Sequence, residues 1–203
     1  MQDSYKSIKE QSEGYFKDRG SKFFSFAYPV ETEEEIKEIL DLLRKEHHSA
    51  RHHCYAWRLG RKDISYRAND DGEPSSTAGK PILGQLQSFD VTNVLVVVIR
   101  YFGGTLLGTS GLINAYKSAA ASALENAEII TLTIDTVFRL TYSYNEMNEV
   151  MRILKQENMN IIDTRFEDIC RLDFSVRESK AKKAEKLFGR FHGVKIEKIS
   201  EIN

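Results

Sequence analysis

Two polar, glycine-containing stretches run straight into helical sequence, residues 72–80 and 103–111. The first N–H groups of a helix have no partner inside it, and the helix dipole places partial positive charge there, so such junctions suit an anion. Ser75, Ser76, Thr77, Gly79 and Lys80 in the first stretch, with Gly103, Gly104, Thr109 and Ser110 in the second, would hold a phosphate-bearing ligand. The competing reading is structural: Thr77 and Ser110 cap their own helices while the glycines turn the chain. Neither stretch has G-x-x-x-x-G-K-[ST] or G-x-G-x-x-G spacing, so no nucleotide is specified.

Asp70, Asp71 and Glu73 are weak candidates for a divalent cation, set against a plain solvated turn; no metal and no cofactor is expected. His52, His53 and Cys54 alternate faces as strand residues, so they cannot share one zinc. His52 and Cys54 do share a face, which allows a thiol nucleophile with a histidine base, though no third orienting group is visible.

Arg51, Arg58, Arg61, Lys62 and Arg67 interleave with Tyr55, Trp57 and Tyr66. Basic and aromatic side chains on strands are what single-stranded RNA recognition uses, by phosphate pairing and base stacking. Lys182, Lys183 and Lys186, with Lys180 and Arg190, give the last helix a basic outer face. Each run also reads as an ordinary solvated surface, and Trp57 as a core residue.

Positioning these groups requires a fold, and 203 residues suffice for two domains. Lys plus Arg number 29 against 30 Asp plus Glu, so nucleic-acid binding must rest on a local patch. Two distant cysteines argue for a reducing compartment, and no apolar run reaches the ~20 residues of a membrane span. No secretory signal is visible at the N-terminus; a cytoplasmic protein without membrane partners is expected.

Residues 4–30 read as β-structure with a turn at Asp18-Arg19-Gly20-Ser21, and Thr32 caps a helix of about 33–47. Strands follow at His52–Leu59 and Asp63–Ala68, then a helix entered through Pro81 and starting no earlier than about Thr77. Val94 to Ile99 is apolar at every position, as in a central strand covered on both faces. In the helix of about 109–127, Ala115, Ala119, Ala123 and Ala127 form a small-residue stripe that allows close approach to a sheet. Beyond a strand at about 128–136, the order strand, helix, two strands, helix, strand is the ferredoxin-like βαββαβ unit, with Met147, Val150, Met151 and Leu154 inward on its first helix. The expected domains are residues 1–135 and 136–203.

His53-Cys54-Tyr55-Ala56, Asn69-Asp70-Asp71-Gly72-Glu73-Pro74-Ser75, Thr77-Ala78-Gly79-Lys80-Pro81-Ile82-Leu83, Asn93 to Val98 and Arg100-Tyr101-Phe102-Gly103-Gly104 resemble the YigZ/IMPACT family. Leu107-Gly108-Thr109 and Gly111-Leu112 continue the likeness, which covers about residues 50–125. The sequence departs from the family pattern at Ser76 and Ser110, where glycine is usual, and at Asn114, where arginine is common. The resemblance implies an α+β protein: a ribosomal-protein-S5 domain-2-like N-terminal domain, then a ferredoxin-like C-terminal domain similar to a late domain of the translocation elongation factor. It also implies a role associated with translation; the family's eukaryotic members restrain a translation-initiation kinase but carry a different additional domain. Two functions are therefore expected to compete: a translation regulator that binds RNA or the ribosome without catalysis, and an enzyme acting on a phosphorylated or nucleotide-like ligand at the two glycine-rich loops.

Overall fold

Val94 to Ile99 becomes the middle of a five-stranded antiparallel sheet in the computed structural model, which describes residues 3–202. The chain divides into two units, Lys6–Thr131 and a second made of residues 3–5 with 132–202. The division falls at Thr131/Leu132, a little before the expected 135/136, and the start of the chain belongs with the second unit.

In chain order come β1 (Ser4–Ile8), β2 (Ser12–Asp18), β3 (Ser21–Pro29), β4 (His52–Leu59), β5 (Ser65–Asn69), β6 (Val94–Tyr101) and β7 (Ile129–Thr133), of which β2 to β6 lie wholly in the larger unit while β1 and β7 run across the division. The helices of the larger unit are α1 (Glu33–Glu46), α2 (Gly79–Ser88) and α3 (Gly108–Glu125). The main sheet has the order β2-β3-β6-β4-β5, and β1 pairs with β7 as a separate two-stranded sheet. Arg19 and Gly20 both have positive φ, 43° and 82°, which is the two-residue turn whose twist matches a hairpin. Thr32 Oγ1 accepts the Glu35 N–H at 3.2 Å and starts α1.

Side-chain alternation builds a layer on each face of the sheet. Phe23, Ala27, Cys54, Ala56, Val94, Val96 and Val98 meet α2 and α3 on one face. Tyr55, Trp57, Leu59, Leu95, Val97 and Ile99 meet Ile36, Leu40 and Leu43 of α1 on the other. The alanine stripe does bring α3 close: Ser25 Oγ donates to the Ala119 carbonyl at 2.6 Å, and a Cβ at Gly14 would collide with the backbone of Ser122 and Ala123.

The second unit runs β8 (Asp135–Tyr142), a 3-10 turn (Tyr144–Glu146), α4 (Met147–Gln156), β9 (Asn160–Arg165), β10 (Cys170–Arg177), α5 (Glu178–Phe188) and β11 (Val194–Ile202). The strand order β11-β8-β10-β9, antiparallel throughout, is the ferredoxin-like arrangement. Met151 is exposed and Ile153 buried in its stead, because Met151 lies about 100° round the helix from Val150. Together the units make an α+β protein. No helix of the described residues is long and apolar enough to cross a membrane.

Candidate functional site

Arg100 stands near the end of the apolar run of β6, and it is only 6% exposed. Its Nη1 donates to Glu73 Oε1 at 2.7 Å, and the Tyr116 hydroxyl of α3 donates to the same oxygen at 2.7 Å. The guanidinium carbon lies 5.6 Å from the ring centroids of both Phe23 and Phe102. His52 on β4 completes the group, with Nε2 at 4.0 Å from Glu73 Oε1. Its Nδ1 is 2.9 Å from the Asp71 carbonyl, which can only accept, so Nδ1 carries the proton. His52, Glu73 and Arg100 line a cavity of about 480 Å³ together with Arg51, Pro74, Thr109 and the apolar Phe102, Leu106, Leu107 and Leu112.

The loop that delivers Glu73 is pinned from within. Asp70 accepts the N–H groups of Ser76, Ala78 and Gly79 at 2.8, 3.0 and 2.8 Å. Burial alone would raise its pKa, yet these three bonds together outweigh burial and hold the carboxyl below the usual range. Ser76 has φ 66°, a left-handed conformation that glycine adopts without strain, which accounts for glycine being expected there.

This pinning corrects the anion site expected at the first loop. The amides leading into α2 already hold Asp70, Thr77 is buried with its hydroxyl on the Pro74 carbonyl at 2.6 Å, and Gly79 lies against the backbone of Asn69. Ser75 and Lys80 are exposed and do not line the cavity. In the second loop, Gly103 is held against Gly20 and donates to Ser21 Oγ at 3.1 Å, and Gly104 is open to solvent. Ser110 is also exposed; of the nine residues only Thr109 lines the cavity. The two loops do share its rim, but through Glu73-Pro74 and Gly108-Thr109.

The three carboxylates serve different partners: Asp70 the start of α2, Asp71 the His53 N–H at 2.6 Å, Glu73 the Arg100 guanidinium. Among the described residues no group of His, Cys, Asp and Glu is arranged to hold a metal. Cys54 is fully enclosed, with Sγ 3.0 Å from the Asp70 carbonyl. Burial pushes its thiol far above the ordinary range, which disfavours the thiolate that nucleophilic chemistry needs.

The aromatic half of the expected RNA surface is also corrected. Tyr55 and Trp57 are buried beneath α1, and Arg58 Nη1 donates to the Leu86 and Val91 carbonyls at 3.3 and 2.8 Å. Arg51, Lys62, Arg67 and Tyr66 are exposed and Arg61 is half-buried. On α5, Lys182, Lys183 and Lys186 are exposed, and Lys183 pairs with Glu157 at 2.5 Å.

A different aromatic surface was not read from the sequence. Tyr15, Lys17, Lys22, Phe24 and Tyr101 share the α1 face of the sheet by register, beyond the helix itself. The Tyr15 and Phe24 rings are 5.1 Å apart, Phe24 and Tyr101 5.8 Å, and the Tyr101 hydroxyl meets His47 Nδ1 at 2.9 Å. Gly20, Lys22, Phe24, His47, Tyr101 and Phe102 line a groove of about 440 Å³. One signal was available: α1 has 14 residues, a rise of about 21 Å, whereas β3 has 9 and extends about 30 Å, so the helix cannot cover the face.

His53 is buried, and burial lowers its pKa despite the opposing charge of Asp71. The unfolded chain then takes up a proton near pH 6.5 that the folded chain refuses, so stability should fall as pH drops below about 6.5. Asp70, also lowered on folding, should add a second loss below about pH 4. Urea midpoints across pH 3–8 check this: His53→Gln should remove the upper step and Asp70→Asn the lower, and a wild-type midpoint constant from pH 7 to pH 5 would contradict it.

An antiparallel sheet with helices on both faces and a buried Glu73–Arg100 pair beside an open cavity, followed by a ferredoxin-like unit, defines a class of two-unit α+β proteins. Residues 19–124 match the family model described as the Impact N-terminal domain. The chain is 37% identical over 149 residues to the IMPACT family member YigZ of Escherichia coli, covering 72% of this chain and 73% of that protein. It is 34% identical over 163 residues to YvyE of Bacillus subtilis, covering 77% and 75%. The chain belongs to the IMPACT family. A crystal structure described as a hypothetical protein is 29% identical, covers 98% of this chain and 99% of its own, and has a TM-score of 0.69.

Proposed function

We propose that this protein is a cytoplasmic, translation-associated regulator that binds single-stranded RNA of the translation machinery without acting on it chemically. The observation that carries the reading is the uncovered end of the main sheet, where Tyr15, Phe24, Tyr101 and Phe102 stand beside Lys17 and Lys22. Aromatic rings on a sheet face accept unstacked bases of any sequence, and adjacent lysines pair with the phosphates between them. Lys62 and Arg67 on the β4–β5 hairpin, and Lys182 and Lys186 on α5, offer further exposed charge for a backbone. Membership of the IMPACT family supports the link to translation, and the enclosure of Cys54 away from any ligand supports binding without a thiol nucleophile.

Fluorescence anisotropy of a labelled single-stranded RNA decamer tests it. Affinity should fall as salt rises, with a log–log slope of roughly −0.7 per phosphate contact, and Lys17→Glu with Lys22→Glu should flatten that slope. Tyr15→Ala, at a position 46% exposed, should cost about 1–3 kcal/mol of binding with little change in melting. Absence of binding at low salt would overturn the proposal. Binding that Arg61→Glu and Arg67→Glu abolish while Tyr15→Ala leaves it intact would move the surface to β5.

A further inference from the structure

We infer that the cavity at Arg100 binds a small molecule carrying a phosphate or carboxylate group on an apolar body. Its volume, about 480 Å³, lies within the ~300–1,000 Å³ usual for small-ligand pockets. Arg100 lines it while only 6% exposed, and its Nε has no hydrogen-bond partner. A buried N–H left unpaired is costly, and an oxygen anion in the cavity would satisfy it by drawing the guanidinium toward the opening, since Nε itself is closed off from solvent. The start of α3 opens on the same space. Leu107 stands at its N-cap and supplies no side-chain oxygen, so the amides of the first turn stay uncapped, unlike those that Asp70 holds at α2. Gly108, with φ 72°, has open space where a Cβ would be, and both Gly108 and Thr109 line the cavity.

Charge balance leaves a place for one anionic group. Glu73 is in the wall, but its Oε1 is already bonded by Arg100 and Tyr116, while the exposed Arg51 brings a second guanidinium. Apart from His52, the remaining wall is apolar, made by Pro74, Phe102, Leu106, Leu107 and Leu112. Leu106 is 81% exposed, on a segment between Gly104 and Gly108, both at positive φ. A bare inorganic ion would leave that apolar wall in water, whereas an apolar body would cover it. Phe102 borders both surfaces, but Tyr15, Lys17, Lys22, Phe24 and Tyr101 take no part in this cavity and Arg51, Leu106 and Thr109 take none in the groove, so the two readings are tested by different residues.

Amide NMR of the full-length protein, titrated with phenyl phosphate, benzoate, inorganic phosphate and benzyl alcohol, tests it. Phenyl phosphate or benzoate should shift the Gly108, Thr109 and Ser110 amides saturably, about tenfold or more tighter than inorganic phosphate, and benzyl alcohol should not. Arg51→Glu and Leu106→Asp alter exposed positions and should keep the wild-type melting point while each weakens binding by about tenfold. No saturable shift at these amides with either aromatic anion, equal affinity for inorganic phosphate, or binding indifferent to both substitutions would overturn it.

Discussion

Arg100→Met is expected to lower the stability of the larger unit by about 3–5 kcal/mol, because it leaves the Glu73 carboxylate buried without its cation. Only 7% and 4% of the two side chains are exposed, so water in the adjoining cavity replaces little of what the missing partner supplied. Glu73→Gln should cost less than Arg100→Met, since the amide oxygen still accepts from Tyr116. The double variant is the informative one: with no uncompensated charge left inside, it should recover much of what Arg100→Met alone loses. Urea unfolding of the four proteins gives the coupling. If the two substitutions add, or Arg100→Met costs under about 1 kcal/mol, the pair does not hold the loop to the sheet.

Trp57→Ala should also destabilise by about 3–5 kcal/mol, and it should do so without a specific effect on RNA. The indole is 5% exposed and packs in the layer made by Ile36, Leu40 and Leu43 of α1. Its loss removes a large buried apolar surface and leaves a cavity that α1 cannot fully close, whereas Trp57→Phe fills most of the space and should cost less. Measured below its melting point, Trp57→Ala should keep the wild-type salt dependence of RNA binding. The opposite result, normal melting with a selective loss of affinity, would return this residue to a stacking role and contradict the packing beneath α1.

The local devices of the fold were legible because their physics is local. Thr32 with Glu35 announced α1, the Asp18–Ser21 turn announced the β2–β3 hairpin, and the alanine spacing of α3 announced its close approach to the sheet. The all-apolar run of β6 required cover on both faces, and two helical layers supply it. The βαββαβ order likewise implied the ferredoxin-like sheet.

The site was decided elsewhere. A strand's alternation states which residues share a face but not which face a helix will cover, so Tyr55 and Trp57 could be read as exposed stackers until α1 was placed over them. The same placement freed Tyr15, Phe24 and Tyr101, far from any basic run in sequence. Helix N-termini are anion sites only if the chain has not already filled them, and Asp70, nine residues before Gly79, fills one while Leu107 leaves the other open. Arg100 showed as a single charge closing an apolar run. Only the folded chain brings Arg100 and Tyr116, 27 and 43 residues from Glu73, to one buried oxygen of its carboxylate, because the free energy of a buried charge depends on neighbours in space rather than in sequence.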